Sequence, residues 1–177
     1  MKSHAPWRHE MAWADVLRGA APFRLVADAE ARERIARVLG EEAVNSLVAQ
    51  IAIRPWHDGV ELNGRIEAAV TRLCGVSLET FQETIDEPMH VRIVPPGSGN
   101  APKDEDGAVV IHLEGEDPPD ILSGNAIDVA GYVLEHLALG LDPFPRKPGA
   151  VFEAPAATGP ASPFSALSQL KLRGEGG

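Results

Sequence analysis

The centre of the chain alternates between apolar and polar residues in three consecutive runs. Their apolar positions are Leu47, Ala49, Ile51 and Ile53, then Val60, Leu62, Ile66, Ala68 and Val70, and finally Phe81, Ile85, Met89, Val91 and Ile93. A period of two is typical of β-strands that bury one face. The sequence His57-Asp58-Gly59 between the first two runs is a hairpin signal. These runs therefore predict an antiparallel meander, in which Pro88 marks an edge or a bulge of the third strand.

Two segments outside the meander have the period of a helix. The apolar residues of 28–39 fall on one helical face, with Asp28 in the N-cap position and Gly40 as a natural stop. The segment near 127–141 is apolar over more than half of the helical circumference, and Pro143 ends it. A helix of this kind must be buried, so we expect it to cross the inner face of the meander.

Together these elements predict an α+β fold. A curved antiparallel β-meander, which is a partly open barrel-like sheet of about four to six strands, is packed by the buried helix near 127–141 and by the second helix near 28–39. Shorter apolar runs at 22–28 and 108–115 predict further strands.

The chain divides by composition into a domain and two flanking parts. Residues 1–22 form an N-terminal arm, and residues 23–150 form a single α+β domain. Residues 151–162 are rich in Pro, Ala and Gly and read as a flexible linker. Residues 163–177 then form a short amphipathic C-terminal segment, so that the tail of the chain is expected to be flexible.

The charge of the chain is strongly acidic and unevenly distributed. Sixteen Lys and Arg oppose 26 Asp and Glu, which gives a formal net charge of −10. Between residues 100 and 130 eight acids oppose Lys103 alone, so this stretch carries 1 − 8 = −7. Binding to a nucleic-acid backbone requires clustered positive charge, so direct contact with RNA requires a local basic patch.

The ends of the chain and its cysteine content indicate a compartment. The first residues lack the apolar core of a signal peptide, and no apolar run reaches the roughly 18 residues of a membrane span. A single cysteine cannot form an internal disulfide. We therefore expect a cytoplasmic protein that has no membrane partner.

The titratable residues form no recognisable catalytic pattern. The six histidines lack the short spacings of metal ligands, and none of the common hydrolase, zinc-protease or nucleotide-binding motifs is present. The acidic pairs lie in polar loops, where carboxylates keep ordinary pKa values and make poor general acids. The sequence thus predicts no enzymatic activity, no metal and no cofactor.

The only cysteine, Cys74, lies between the second and third alternating runs. Ser77 stands where the second ligand of a metal knuckle would be. A reactive thiol requires a lowered pKa, and Arg72 is the nearest cation in the sequence. A lone cysteine at a strand end is more often a small hydrophobic residue in a turn. We interpret Cys74 as a structural residue of a hairpin turn.

Three segments carry a resemblance to a known family. The stretch around Cys74, the helical segment that opens with Ile127 and Asp128, and the closing motif resemble the YceD family of large ribosomal RNA subunit accumulation proteins (domain of unknown function 177). The closing motif consists of Pro163, Phe164, Leu167, Leu170 and Lys171. Many members carry a Cys-x-x-Cys pair in the turn, where this chain has Cys74 and Ser77. The resemblance covers nearly the whole chain, and the missing cysteine removes half of any two-cysteine site.

The resemblance implies a ribosome biogenesis factor that supports the synthesis, processing or stability of large-subunit ribosomal RNA without a defined catalytic centre. Its partner is expected to be that RNA or a basic ribosomal protein. Direct RNA contact would use Arg146, Lys147, Lys171 and Arg173. Alternatively, the acidic segment 104–120 would hold the ribosomal protein. An RNA-metabolism enzyme and a regulatory adaptor unconnected to ribosomes remain the rival interpretations.

The C-terminal segment has an apolar stripe of its own. Phe164, Leu167 and Leu170 recur at helical spacing behind the predicted linker. A helix this short is marginal in water, so the stripe needs a surface to pack against. That surface belongs either to a ribosome-assembly partner, which the linker would keep at high local concentration, or to the domain itself.

Overall fold

The computed structural model describes residues 5–102, 104–105, 108–109 and 117–152. The elements in chain order are β1 (Glu10–Ala12), α1 (Trp13–Val16), β2 (Ala20–Val26), α2 (Ala29–Leu39), β3 (Ala43–Trp56), β4 (Gly59–Leu73), β5 (Thr80–Val94), β6 (Asp104–Glu105), β7 (Ala108–Val109), β8 (Asp120–Ile121), β9 (Ala126–Asp128) and α3 (Val129–Gly140). The predicted mixed α+β fold is confirmed.

The main sheet has five strands in the order β2-β3-β4-β5-β8. Its first four strands are antiparallel neighbours, and β8 pairs in parallel with the end of β5. The sheet does not close into a barrel, because β2 and β8 remain as its two edges. The predicted meander is therefore confirmed as an open sheet. Most of the strand predicted at 108–115 lies outside the described residues, since only β7 is seen there.

Strict alternation separates the two faces of the long strands. Leu47, Ile51, Leu62, Ile66 and Met89 are all buried on the inner face. Helix α2 packs near β3 on this face, and α3 packs near β5. In the described part of the chain β5 pairs with β8 only at its last two residues, so Pro88 lies along an edge, where a missing N–H costs no ladder bond.

Both longer helices begin at an aspartate. The Asp28 side chain accepts a hydrogen bond from the Ala31 N–H at 2.8 Å, and α2 ends at Gly40, which has the left-handed φ of 73°. At α3 the Asp128 side chain accepts from the N–H groups of Gly131 at 3.4 Å and His9 at 2.9 Å. Asp128 thus joins the start of α3 to the N-terminal part of the chain.

The N-terminal residues take part in the packing of the domain. Strand β1 pairs with β9, and Val16 is fully buried, while Trp7, Met11 and Trp13 pack against the core. The predicted linker from residue 153 onward and the C-terminal segment 163–177 lie outside the described residues. No helix in the described ranges has the length and apolarity needed to cross a membrane.

Candidate functional site

The outer face of the sheet collects four arginines from four different strands. Arg24 lies on β2, Arg54 on β3, Arg65 on β4 and Arg92 on β5. All four occupy polar positions of the alternating pattern, so their side chains point away from the helices. We call these four residues, with the outward-facing residues between them, the arginine face.

The register of the strands arranges the arginines in two rows. In one row Gln50 of β3 lies between Arg24 and Arg65. The Cα atoms of the two arginines are therefore two strand spacings apart, or about 10 Å. In the other row Glu61 of β4 lies between Arg54 and Arg92. Along β3 the rows are separated by four residues, or about 13 Å. Ala52, Asn63 and His90 fill the row between them.

The arginine face is positive although the chain is acidic. Within these rows the four arginines oppose one acid, Glu61, which gives 4 − 1 = +3 with His90 neutral. The whole chain carries −10. In the next outward-facing row, on the side away from the β3–β4 hairpin, Glu67 and Asp86 make the local charge negative. Asp86 also forms an ion pair with Arg65. The positive region is therefore confined to the half of the sheet near the β3–β4 hairpin.

Two of the arginines have no acidic partner in the described part of the chain. Arg24 and Arg54 are exposed and form no ion pair with any described residue. The Arg65 side chain is 60% exposed despite its contact with Asp86. Guanidinium groups in this state keep their N–H donors available to an anion from solution.

The one acid of the region is held by its neighbours. One carboxylate oxygen of Glu61 lies 2.7 Å from His90 Nε2 and 3.4 Å from Arg92 Nε, and the other accepts from the Asn63 amide at 2.9 Å. The hydrogen bond with His90 is the main reason that the pKa of Glu61 is lowered. The Arg92 guanidinium in turn lies over the Trp56 ring, 4.9 Å from its centre. This corner is therefore fixed by several contacts.

A shallow depression separates Arg24 from Arg65. Its outward-facing lining consists of Pro22, Arg24, Gln50, Ala52, Asn63 and Arg65. Because Ala52 is the small outward-facing residue between these side chains, the floor comes close to the backbone. The amides of Gln50 and Asn63 and the guanidinium groups of Arg24 and Arg65 surround this floor. The guanidinium groups are charged donors, and each amide carries both a donor and an acceptor.

The basic residues predicted from the sequence lie at the other end of the sheet. Arg146 is exposed there, and Lys147 Nζ forms an ion pair with Glu79 at 2.9 Å. Thr80 at this end and Arg92 at the other belong to the same strand, β5, and the rise of an extended strand puts them about 40 Å apart. The structure thus does not bring Arg146 and Lys147 together with the arginine face. Phe164, Leu167, Leu170, Lys171 and Arg173 lie outside the described residues.

Cys74 occupies the turn between β4 and β5, which confirms the predicted hairpin. Its Sγ accepts hydrogen bonds from the backbone N–H groups of Val76 and Ser77, both at 3.4 Å, and of Lys147 at 3.3 Å. The Gly75 N–H donates to the Pro145 carbonyl at 2.9 Å. The fully buried sulfur therefore joins the turn to the segment after α3, and the interpretation as a simple hydrophobic residue is incomplete.

The hydrogen bonds also change the acidity of Cys74. Donation from the Ser77 hydroxyl and from the Ser77 and Lys147 N–H groups outweighs burial and lowers the pKa of Cys74 to about 6. Within the ranges that the structure describes, no group of three or more His, Cys, Asp and Glu side chains is placed to hold a metal. The pKa of Cys74 is thus depressed by hydrogen-bond donors, first the Ser77 hydroxyl and then the backbone N–H groups.

We expect the Cys74 thiolate to titrate with a midpoint of about 6, against about 8.5 for an ordinary cysteine. The measurement is the ultraviolet absorbance of the thiolate against pH, with Ser77→Ala as a variant that raises the midpoint. Because the folded pKa is depressed, the thiolate stabilises the fold above the unfolded pKa, and this contribution is lost as pH falls through the folded value.

The stability advantage of the wild type over Cys74→Ser should therefore grow from about pH 6 to about pH 8.5. Cys74→Ser itself is expected to fold and to keep its function, since a hydroxyl oxygen accepts the same N–H donors. A thiolate midpoint at the ordinary cysteine value would contradict the role given to these hydrogen bonds.

A family model described as large ribosomal RNA subunit accumulation protein YceD matches residues 62–171, which is more than half of the chain. The matched range includes nearly all of β4, together with β5, β8, β9 and α3. Arg65 and Arg92 of the arginine face fall within it, and Arg24 and Arg54 precede it. No curated protein and no solved structure matches the chain.

Proposed function

The chain belongs to the YceD family of large ribosomal RNA subunit accumulation proteins, and on that premise we propose that it supports accumulation of this RNA by binding it. The observation that carries the proposal is the arginine face, a region of charge +3 on a chain of charge −10. Segregated positive charge is what a protein needs to bind an RNA backbone when its overall charge is repulsive.

A binding role also agrees with the state of the titratable groups. The only thiol of the chain is buried, and the ring of His90 is engaged by Glu61. Neither group is placed as a nucleophile with an adjacent base, which is the arrangement that covalent and acid–base catalysis require. The alternative route, in which the acidic segment 104–120 holds a basic ribosomal protein, stays a prediction, because most of that segment lies outside the described residues.

Removal of the protein from cells is expected to lower large-subunit ribosomal RNA while small-subunit RNA in the same samples is unchanged. The measurement is the ratio of the two RNAs, with the full chain supplied in trans as the control that restores it. Cross-linking followed by sequencing should recover large-subunit RNA with the protein. A normal RNA ratio in the deletion strain would contradict the proposed function.

A further inference from the structure

We propose that the arginine face is a binding surface for single-stranded RNA, in which Arg24, Arg54 and Arg65 contact phosphates and the Gln50 and Asn63 amides contact base edges. The inference rests on the proposed function and gives it a location. It assigns the contact to residues of the sheet rather than to Arg146 and Lys147.

The charge and exposure of the face identify the ligand as a polyanion. Arg24 and Arg54 are exposed without an ion pair among the described residues, and Arg65 is mostly exposed. Neutralising phosphates with such groups releases counterions, which favours association. Because the three side chains are spread over two rows about 13 Å apart, one small anion cannot contact all of them, whereas a chain of phosphates can.

The shape and the polar groups favour a single strand over a duplex. Side chains cannot read the deep and narrow major groove of an RNA duplex, and a duplex is recognised mostly by its shape and by 2′-hydroxyl and phosphate contacts across the minor groove. The arginine face is the open side of a sheet, and the Gln50 and Asn63 amides line a shallow depression in it. Amides at this depth reach base edges only when the bases are unpaired, and guanidinium planes also stack on such bases.

Glu61 is the acid that lowers the net positive charge of the arginine face. Its carboxylate is held by His90, Arg92 and Asn63 rather than by solvent. Replacing it with glutamine keeps the shape and raises the local charge from +3 to +4. Glu61→Gln is therefore expected to bind RNA more tightly than the wild type.

The test is fluorescence anisotropy of the full chain with a labelled, unstructured RNA oligonucleotide, titrated at several salt concentrations. The double variant Arg24→Gln/Arg65→Gln is expected to lose at least about tenfold in affinity. The slope of log affinity against log salt should become shallower by about 0.7 for each phosphate contact that is lost. The matched control is Arg37→Gln/Arg146→Gln, which removes the same charge from exposed positions outside the face.

We expect that control to keep the wild-type salt slope, and we expect an RNA duplex of the same length to bind more weakly. Melting curves of all variants show that the folds are equivalent. The inference is wrong if the Arg24/Arg65 variant binds like the wild type, if the control loses as much, or if duplex RNA or polyglutamate binds equally well.

Failure of this inference is distinguishable from failure of the proposed function. If cells carrying Arg24→Gln/Arg65→Gln keep normal large-subunit RNA and the deletion strain does not, the function stands and the surface is wrong. If the deletion strain itself keeps normal RNA, the proposed function is wrong whatever the oligonucleotide binding shows.

Discussion

Replacing Arg72 with methionine is expected to lower the free energy of unfolding by about 3–5 kcal/mol. Arg72 is the one charged residue of the described chain that is buried, with a side chain only 3% exposed. Its guanidinium contacts both carboxylate oxygens of Glu41 at 2.9 and 3.1 Å, one oxygen of Glu83 at 2.8 Å, and the Asp142 carbonyl at 2.7 Å. Methionine fills a similar volume but leaves all of these acceptors without their donor.

The size of the effect comes from the acceptors that remain. Burial by itself lowers the pKa of Arg72, but the hydrogen bonds with Glu41 and Glu83 outweigh it and hold the pKa above its usual range. Glu41 is only 10% exposed, so without the guanidinium its charge is buried and uncompensated. The substitution also releases three segments from one another: the connection before β3, strand β5, and the residues after α3.

Urea unfolding of the wild type and of Arg72→Met measures this difference in the free energy of unfolding. The matched control is Arg65→Met on the same strand, whose ion pair with Asp86 is exposed and is expected to contribute little. Arg72→Lys should fall between them, because lysine keeps the charge but cannot make the paired contacts with Glu41. Equal stabilities of the Arg72 and Arg65 variants would contradict the argument. If Arg72→Met does not accumulate, the ranking of Arg72→Lys below Arg65→Met decides the question.

Arg72 also shows the limit of alternation as a predictor. Its position in the pattern is inward, on the same side as Val70, and the structure shows that the cation is buried there. The sequence does not reveal its partners, because Glu41 and Asp142 are 31 and 70 residues away. Long-range polar contacts depend on how the elements pack, and a local period contains no information about that packing.

The fold was predictable where the elements are long. Strands of 14 and 15 residues repeat the alternation often enough to define a meander, and α2 has both of its end signals in Asp28 and Gly40. Strands β1, β8 and β9 have two or three residues and therefore no measurable period. Their pairing, and the parallel addition of β8, follows from tertiary packing. For the same reason the sequence could not decide whether the sheet closes.

The candidate site was missed because sequence neighbours were taken as spatial neighbours. Arg146 and Lys147 are adjacent in the chain, yet Lys147 is engaged with Glu79 and with the Cys74 turn. Arg24 and Arg92 are 68 positions apart and lie on the same face. Alternation does place each arginine outward on its strand, so the signal was present. It becomes a site only when the strand register is known.

Replacing Gly59 with alanine is expected to destabilise the protein by about 3 kcal/mol or more. Gly59 opens β4 directly after the β3–β4 turn and is buried. A Cβ at this position would lie 2.1 Å from the carbonyl oxygen of Ile93, 3.0 Å from the carbonyl carbon of the same residue and 3.1 Å from the Cα of Val94. All three are backbone atoms, so no side-chain rotation relieves the contact.

The backbone at Ile93 cannot move cheaply, because it is paired on both sides. Ile93 lies opposite Val60 of β4 and opposite Asp120 of β8, and its side chain is fully buried. Displacing it would therefore disturb one of the two described residue pairs between β5 and β8, and would shift Arg92, which is the preceding residue. Gly99→Ala is the matched control, since nothing lies within 4 Å of its Cβ, and its stability should stay within about 0.5 kcal/mol of the wild type. Chemical unfolding of both variants is the measurement. Equal stabilities would mean that the end of β5 is free to shift, and the rigid placement of Arg92 beside Trp56 would then have to be abandoned.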